Sequence, residues 1–86
     1  MKQRINVKQI EVFKSVMECR TTVGASKRLN LSQPTVSEHL SSLERATDIK
    51  LFERRKNRLV PTPAAEAFHA EIARVYLGVD HLEYPS

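Results

Sequence analysis

Residues 25–44 read ASKRLNLSQPTVSEHLSSLE, two short amphipathic patterns separated by a break of only a few residues. The first ends with Ala25 and Leu29 at i, i+4. The second carries Val36, Leu40 and Leu43 at i, i+4, i+7, one apolar stripe on a 3.6-residue period. Asn30 and Leu31 supply the turn, with Leu31 tucked back toward the core. Ser32 is a good N-cap, and Pro34 falls in the first turn, where a missing N–H costs nothing. Two short helices meeting at a tight angle, the second opening on Ser-Gln-Pro-Thr, predict a helix-turn-helix of the kind that reads a DNA major groove.

Upstream, Val7 to about Cys19 reads as a helix with Ile10, Phe13 and Met17 on one face, Val16 beside them, and Lys8, Glu11, Lys14, Ser15 and Glu18 outward. Arg20-Thr21-Thr22 ends it, and either threonine suits the cap of the next helix, which runs to Leu29. The third helix is expected over roughly Gln33 to Arg45. Downstream the character changes. Leu51-Phe52 and Leu59-Val60 are short apolar pairs flanking Arg54-Arg55-Lys56-Asn57-Arg58. Two short strands around a basic tip form a β-hairpin wing, although the tip lacks the Asn-Gly signature of the tightest turns. Thr62-Pro63 then opens a fourth helix, cap followed by proline at the first helical position. Pro85 is expected to end that helix at Tyr84.

The chain has 86 residues, room for one small domain. Its net charge of +4 is unevenly placed. Residues 1–62 hold thirteen Lys and Arg against six Asp and Glu, a net of +7, whereas residues 63–86 hold one Arg against four acids, a net of −3. A basic body with an acidic final helix fits a DNA-binding unit joined to a helix that stays off the DNA. Cys19 is the single cysteine, so it forms neither an internal bridge nor a CxxC metal site. A lone thiol suits a reducing cytoplasm, and a cytoplasmic, nucleoid-associated protein is expected. No apolar run approaches the roughly 18 residues that span a membrane, and Met1 to Asn6 lack the apolar stretch of a signal peptide.

Helix four carries Ala65, Phe68, Ile72, Val75, Val79 and Leu82 at steps of three and four. The seam outruns a three-helix core, so it is expected to pack against a second copy of itself, with Ala65, Phe68, Ile72, Val75 and Val79 as the dimerisation residues. Packing back onto helix one is the alternative. Gly78 weakens the helix by about 1 kcal/mol relative to alanine.

Several of these segments together resemble the N-terminal DNA-binding domain of the LysR-type transcriptional regulators. They are V-x-x-I-x-x-F in helix one, A-x-x-x-L-x-L-S-Q-P-T-V-S through the helix-turn-helix, L-E before the wing, L-F-E-R entering it and T-P-A after it. They run in that order over about Val7 to Ala67. The resemblance implies a mainly α winged helix-turn-helix: a three-helix core, a two-stranded wing, then a linker and dimerisation helix. The domain would span residues 1–62 and the helix 63–86, with no effector domain in the chain. It also implies a homodimer on an interrupted palindrome in double-stranded DNA. Four positions depart from the family pattern. Glu38 stands where a basic residue is common, and Ser26 replaces the second of two alanines. Thr22-Val23 replaces an aromatic or aliphatic residue followed by threonine, and Ala65 replaces a glycine.

With Val36, Leu40 and Leu43 inward, Pro34, Glu38, Ser41 and Arg45 point out. Recognition helices enter the groove N-terminus first, so Gln33, Pro34, Thr35, Ser37 and Glu38 have reach to base edges. Glutamine bonds adenine through both ends, threonine and proline touch a thymine methyl, and glutamate accepts from cytosine N4. Ser32 and the helix N–H groups suit a phosphate, unless Ser32 only caps. Glu38 reads a base or only favours the helix dipole. Arg54, Arg55, Lys56 and Arg58 suit phosphate or minor-groove contact, Arg54 being the one the resemblance singles out.

Catalysis is not expected. His39, His69 and His81 are widely spaced and none lies at i, i+4 with another His or acid pair that would suggest a metal site, and Ser37 and His39 face different ways on one helix. Two glycines make no phosphate loop. No metal, cofactor, membrane or small-molecule ligand is expected. The competing readings are another winged-helix regulator, MarR-like or molybdate-regulator-like, and a winged helix that no longer binds DNA but pairs with protein through helix four.

Overall fold

The computed structural model describes the backbone of residues 5–83 and the side chains of residues 5–74. Four helices and one hairpin follow in the order α1 (Val7–Cys19), α2 (Thr22–Leu29), α3 (Gln33–Thr47), β1 (Phe52–Arg55), β2 (Arg58–Pro61) and α4 (Pro63–Glu83). This is the winged helix-turn-helix expected from the sequence.

Each of the first three helices starts on a polar cap. Asn6 accepts from the Gln9 N–H while Gln9 accepts from the Asn6 N–H, a reciprocal box that starts α1. Of the two threonines before α2, Thr21 is the cap, accepting from the Gly24 N–H. Ser32 accepts from the Thr35 N–H and starts α3. These helices end on Arg20, Asn30 and Asp48 in the left-handed region, at φ 65°, 58° and 57°. Asn and Asp tolerate that region; the arginine is held there by its backbone N–H to Val16 O and its Nε to Met17 O. Helix α3 runs to Thr47, beyond Arg45, because neither Ala46 nor Thr47 breaks a helix and the left-handed Asp48 is the first stop.

The core is built on α1. Val12, Phe13 and Val16 are fully buried, packed with Ala25 of α2, Val36 and Leu43 of α3, and Leu51. Phe13 is the junction, its ring 5.9 Å from that of Phe52 in the wing and 5.3 Å from that of Phe68 in α4. Ser15, expected outward, is buried, because α1 is flanked by both α2 and α3 and keeps only a narrow wet face. Gln9 is buried for the same reason. Ser26, in place of the family's alanine, is buried with its hydroxyl donating to Val23 O, so the extra polar atom is satisfied. Cys19 is half-buried at the end of α1.

Gly24 has a steric reason. A Cβ there would stand 3.0 Å from Thr21 Oγ1 and 3.1 Å from Cys19 Cβ, so glycine lets α2 close against the end of α1.

The helix-four seam begins inside this core. Ala65 and Ile72 are buried within the single chain and Phe68 is half-buried on Phe13. Ala65 and Ile72 therefore pack within the chain, as the alternative had it, and Phe68 does so in part. The Val75 and Val79 side chains and the expected helix end at Tyr84 lie outside the described residues.

Candidate nucleic-acid interface

The wing is set beside α3 by hydrogen bonds to the backbone, two of the residues involved using their side chains. Glu44 near the end of α3 accepts from the Leu51 N–H at 2.9 Å, fixing where the chain leaves the helix and enters the wing. Thr62 closes the far end. Its hydroxyl donates to Lys50 O at 2.5 Å and accepts from the Ala65 N–H at 3.0 Å, so one residue ties off the hairpin and caps α4. The Leu59 N–H donates to Arg20 O at 2.8 Å, hanging β2 on the α1–α2 corner. The L-E and T-P-A motifs thus set the angle of the wing relative to α3.

The wing is tighter than its sequence suggested. Arg55 pairs with Arg58, leaving only Lys56-Asn57 as the turn, with Lys56 at φ 54° in place of the usual glycine or asparagine. Register then separates the four basic residues. Arg54 opposes Leu59 and shares the Phe52 face, which looks toward α3; Arg55 and Arg58 oppose each other on the reverse face. All four are exposed. Two arginines directly opposite one another cost stability in a free hairpin.

A cleft of about 180 Å³ lies between α3 and the wing, and Thr22, Ser37, Ser41, Lys50 and Arg54 are among the residues that line it. Ser37 and Arg54, both expected at the interface, are brought together here. Lys50 and Ser41 had not been singled out as contacts. The signal for Lys50 was available, a lysine one residue before the Leu51-Phe52 strand start. That for Ser41 was its place on the outward face.

Gln33 and Pro34 are exposed at the leading end of α3, and Thr35 is half-buried beside them. Ser32 acts as a cap, its hydroxyl also donating to Thr35 Oγ1 at 2.8 Å. Thr35 N–H is taken by that cap and Pro34 has none, so Gln33 contributes the one free N–H among residues 33–35. The Gln33 side chain itself accepts from Thr22 Oγ1 at 3.3 Å. Glu38 is exposed and paired with Arg45 Nη2 at 3.3 Å. Among the described residues, no group of three His, Cys, Asp or Glu side chains comes together, and no helix is long and apolar enough to cross a membrane.

Residues 7–66 match the family model described as bacterial regulatory helix-turn-helix protein, lysR family. The octopine catabolism/uptake operon regulatory protein OccR of Rhizobium meliloti is 35% identical over 78 residues, which cover 91% of this chain and 26% of that protein. The transcriptional activator protein LysR of Escherichia coli is 37% identical over 78 residues, covering 91% of this chain and 25% of its own. The chain thus spans about a quarter of the length of these curated relatives. Two solved complexes share the fold. The CbnR DBD–DNA complex matches with a TM-score of 0.79 at 31% identity, over 91% of this chain and 88% of that one. The BenM DBD/benA site 1 DNA complex matches with a TM-score of 0.81 at 25% identity, over 90% and 86%.

Proposed function

Because this chain belongs to the lysR family of bacterial regulatory helix-turn-helix proteins and carries that family's DNA-binding domain, we propose that it serves a transcriptional regulator in the bacterial cytoplasm, gripping an interrupted palindromic operator as a homodimer. Family membership sets aside the MarR-like and molybdate-regulator-like readings.

The observation that carries the proposal is the placement of Arg54 of the wing and Ser37 and Ser41 of α3 on one cleft. With Gln33, Pro34, Thr35, Ser37 and Glu38 in the major groove, Arg54 faces the flanking phosphates. Arg55, Lys56 and Arg58 extend the contact along the backbone or into the minor groove. Ser32 caps α3 beside a phosphate held by the Gln33 N–H.

The dimer forms through the distal part of α4. Ala65 and Ile72 are covered inside the chain, and Phe68 is half-covered on Phe13. That leaves the half-covered Phe68, with Val75 and Val79 at the next steps of the apolar seam in the sequence, as the residues proposed to meet a second copy. Residues 1–62 make up the DNA-binding unit and the helix from Pro63 the linker.

Binding to random-sequence duplex at low salt, followed across salt concentration, tests the proposal. Neutralising about six phosphates per half-site gives a slope of log K on log salt near −5. Arg54→Ala weakens binding to all sequences alike and reduces that slope by about one. No binding at low salt, or a slope shallower than about −2, would instead indicate a protein-interaction module.

A further inference from the structure

We propose that Lys50 and Arg54 close on one and the same DNA phosphate, seated in the cleft between α3 and the wing, with the Ser37 and Ser41 hydroxyls as its further donors. The inference rests on the DNA-binding reading above. All four residues line that cleft of about 180 Å³. They come from three separate pieces of chain. Ser37 and Ser41 stand one turn apart on α3, Arg54 belongs to β1, and Lys50 lies in the connector between the two elements.

Lys50 is placed through its main chain. Its carbonyl accepts from the Thr62 hydroxyl at 2.5 Å, and the next N–H, that of Leu51, donates to Glu44 Oε2 at 2.9 Å. The end of α3 and the cap of α4 thus hold the residue from two sides, while its side chain stays exposed. Among the described residues neither the Lys50 ammonium nor the Arg54 guanidinium has a partner. The hydroxyls point to the same use. Ser26 and Thr47 turn back on their own helices, donating to Val23 O and Leu43 O. Ser37 and Ser41 are half-buried yet make no such bond among the described residues, so each keeps a donor for the cleft. Glu44 also lines it, but one of its oxygens is taken by the Leu51 N–H, and its single negative charge stands against two positive ones. Two cations and two hydroxyls at one place suit an anion that offers several oxygens, as a backbone phosphate does and a base edge does not. Such a contact carries no sequence information; it sets the register of α3 on the duplex.

The test uses the full chain and a duplex that it selects from a randomised library, with each backbone phosphate replaced in turn by an uncharged methylphosphonate. At one phosphate of each half-site the replacement weakens binding of the parent by about tenfold, the worth of a hydrogen bond to a charged group. Lys50→Met and Arg54→Met each weaken binding to the unmodified duplex by about as much, and the methylphosphonate at that phosphate then costs either variant less than about twofold. Ser41→Ala loses about threefold at the same phosphate. The double variant Lys50→Met/Arg54→Met lowers the salt slope by about one and not by two, because one phosphate is shared. Thermal unfolding of Lys50→Met matches that of the parent, since the side chain is exposed. The proposal is overturned if Lys50→Met binds as the parent does, or if it keeps the parent's full sensitivity at the phosphate to which Arg54 is coupled. Should Arg54→Met be coupled to no phosphate at all, the wing stands off the DNA, and the proposed interface fails with it.

Discussion

Glu38 and Arg45 lie two turns apart on the outer face of α3, and their side chains meet at 3.3 Å, with Arg45 Nη2 also 3.3 Å from Ser42 Oγ. A carboxylate facing phosphate repels it, yet this one is partly neutralised by a cation on the same helix face. Both side chains are more than half exposed, so the pair adds little to stability. Its consequence is for binding.

Glu38→Arg raises non-specific affinity and steepens the salt slope by about one unit, because one more phosphate is neutralised. Glu38→Ala releases Arg45 and moves both quantities the same way by less. Both variants lose discrimination between the selected site and random DNA. Fluorescence anisotropy across a salt series measures all three. Unchanged values in both variants would place the pair in solvent, away from DNA.

Arg58→Thr separates the stability of the wing from its use. Removing one of two arginines opposed at the Arg55–Arg58 register stabilises the free protein by about 0.5 kcal/mol. The same change reduces the salt slope by about one. Thermal unfolding and DNA titration should therefore move in opposite senses; if both fall, the arginines are supported by other contacts.

Gly24→Ala brings a Cβ to 3.0 Å from Thr21 Oγ1 and 3.1 Å from Cys19 Cβ. The helix propensity gain of about 1 kcal/mol is outweighed by displacing the α2 cap and the end of α1, for a net loss of about 1–2 kcal/mol. Chemical denaturation reads this, and a gain in stability would mean that α2 shifts freely.

Sedimentation separates the two uses of α4. The parent chain sediments as a dimer at tens of micromolar, and Val79→Asp gives folded monomers. Ile72→Asp instead puts a carboxylate into the chain's own core and lowers stability by about 3 kcal/mol or more. A parent chain that stays monomeric under these conditions would remove α4 as the dimer contact.

Period and punctuation determined the helices of this protein. Val36, Leu40 and Leu43 mark a buried stripe wherever α3 packs, and Ser32, Thr62 and Pro63 mark helix starts, because these effects act within a turn or two of chain. The order of motifs also carried the winged helix-turn-helix and its family. Tertiary structure decided which of two compatible partners each side chain met. Ala65 and Ile72 are apolar whether they face their own core or a second copy, and only the path of the chain after Thr62 puts them inside. Likewise Arg54 parts from Arg55 and Arg58 only once the two-residue turn fixes the strand register. The Thr22–Gln33 and Glu38–Arg45 contacts depend on how two helices approach and which rotamers long side chains take, and residue spacing alone does not encode either.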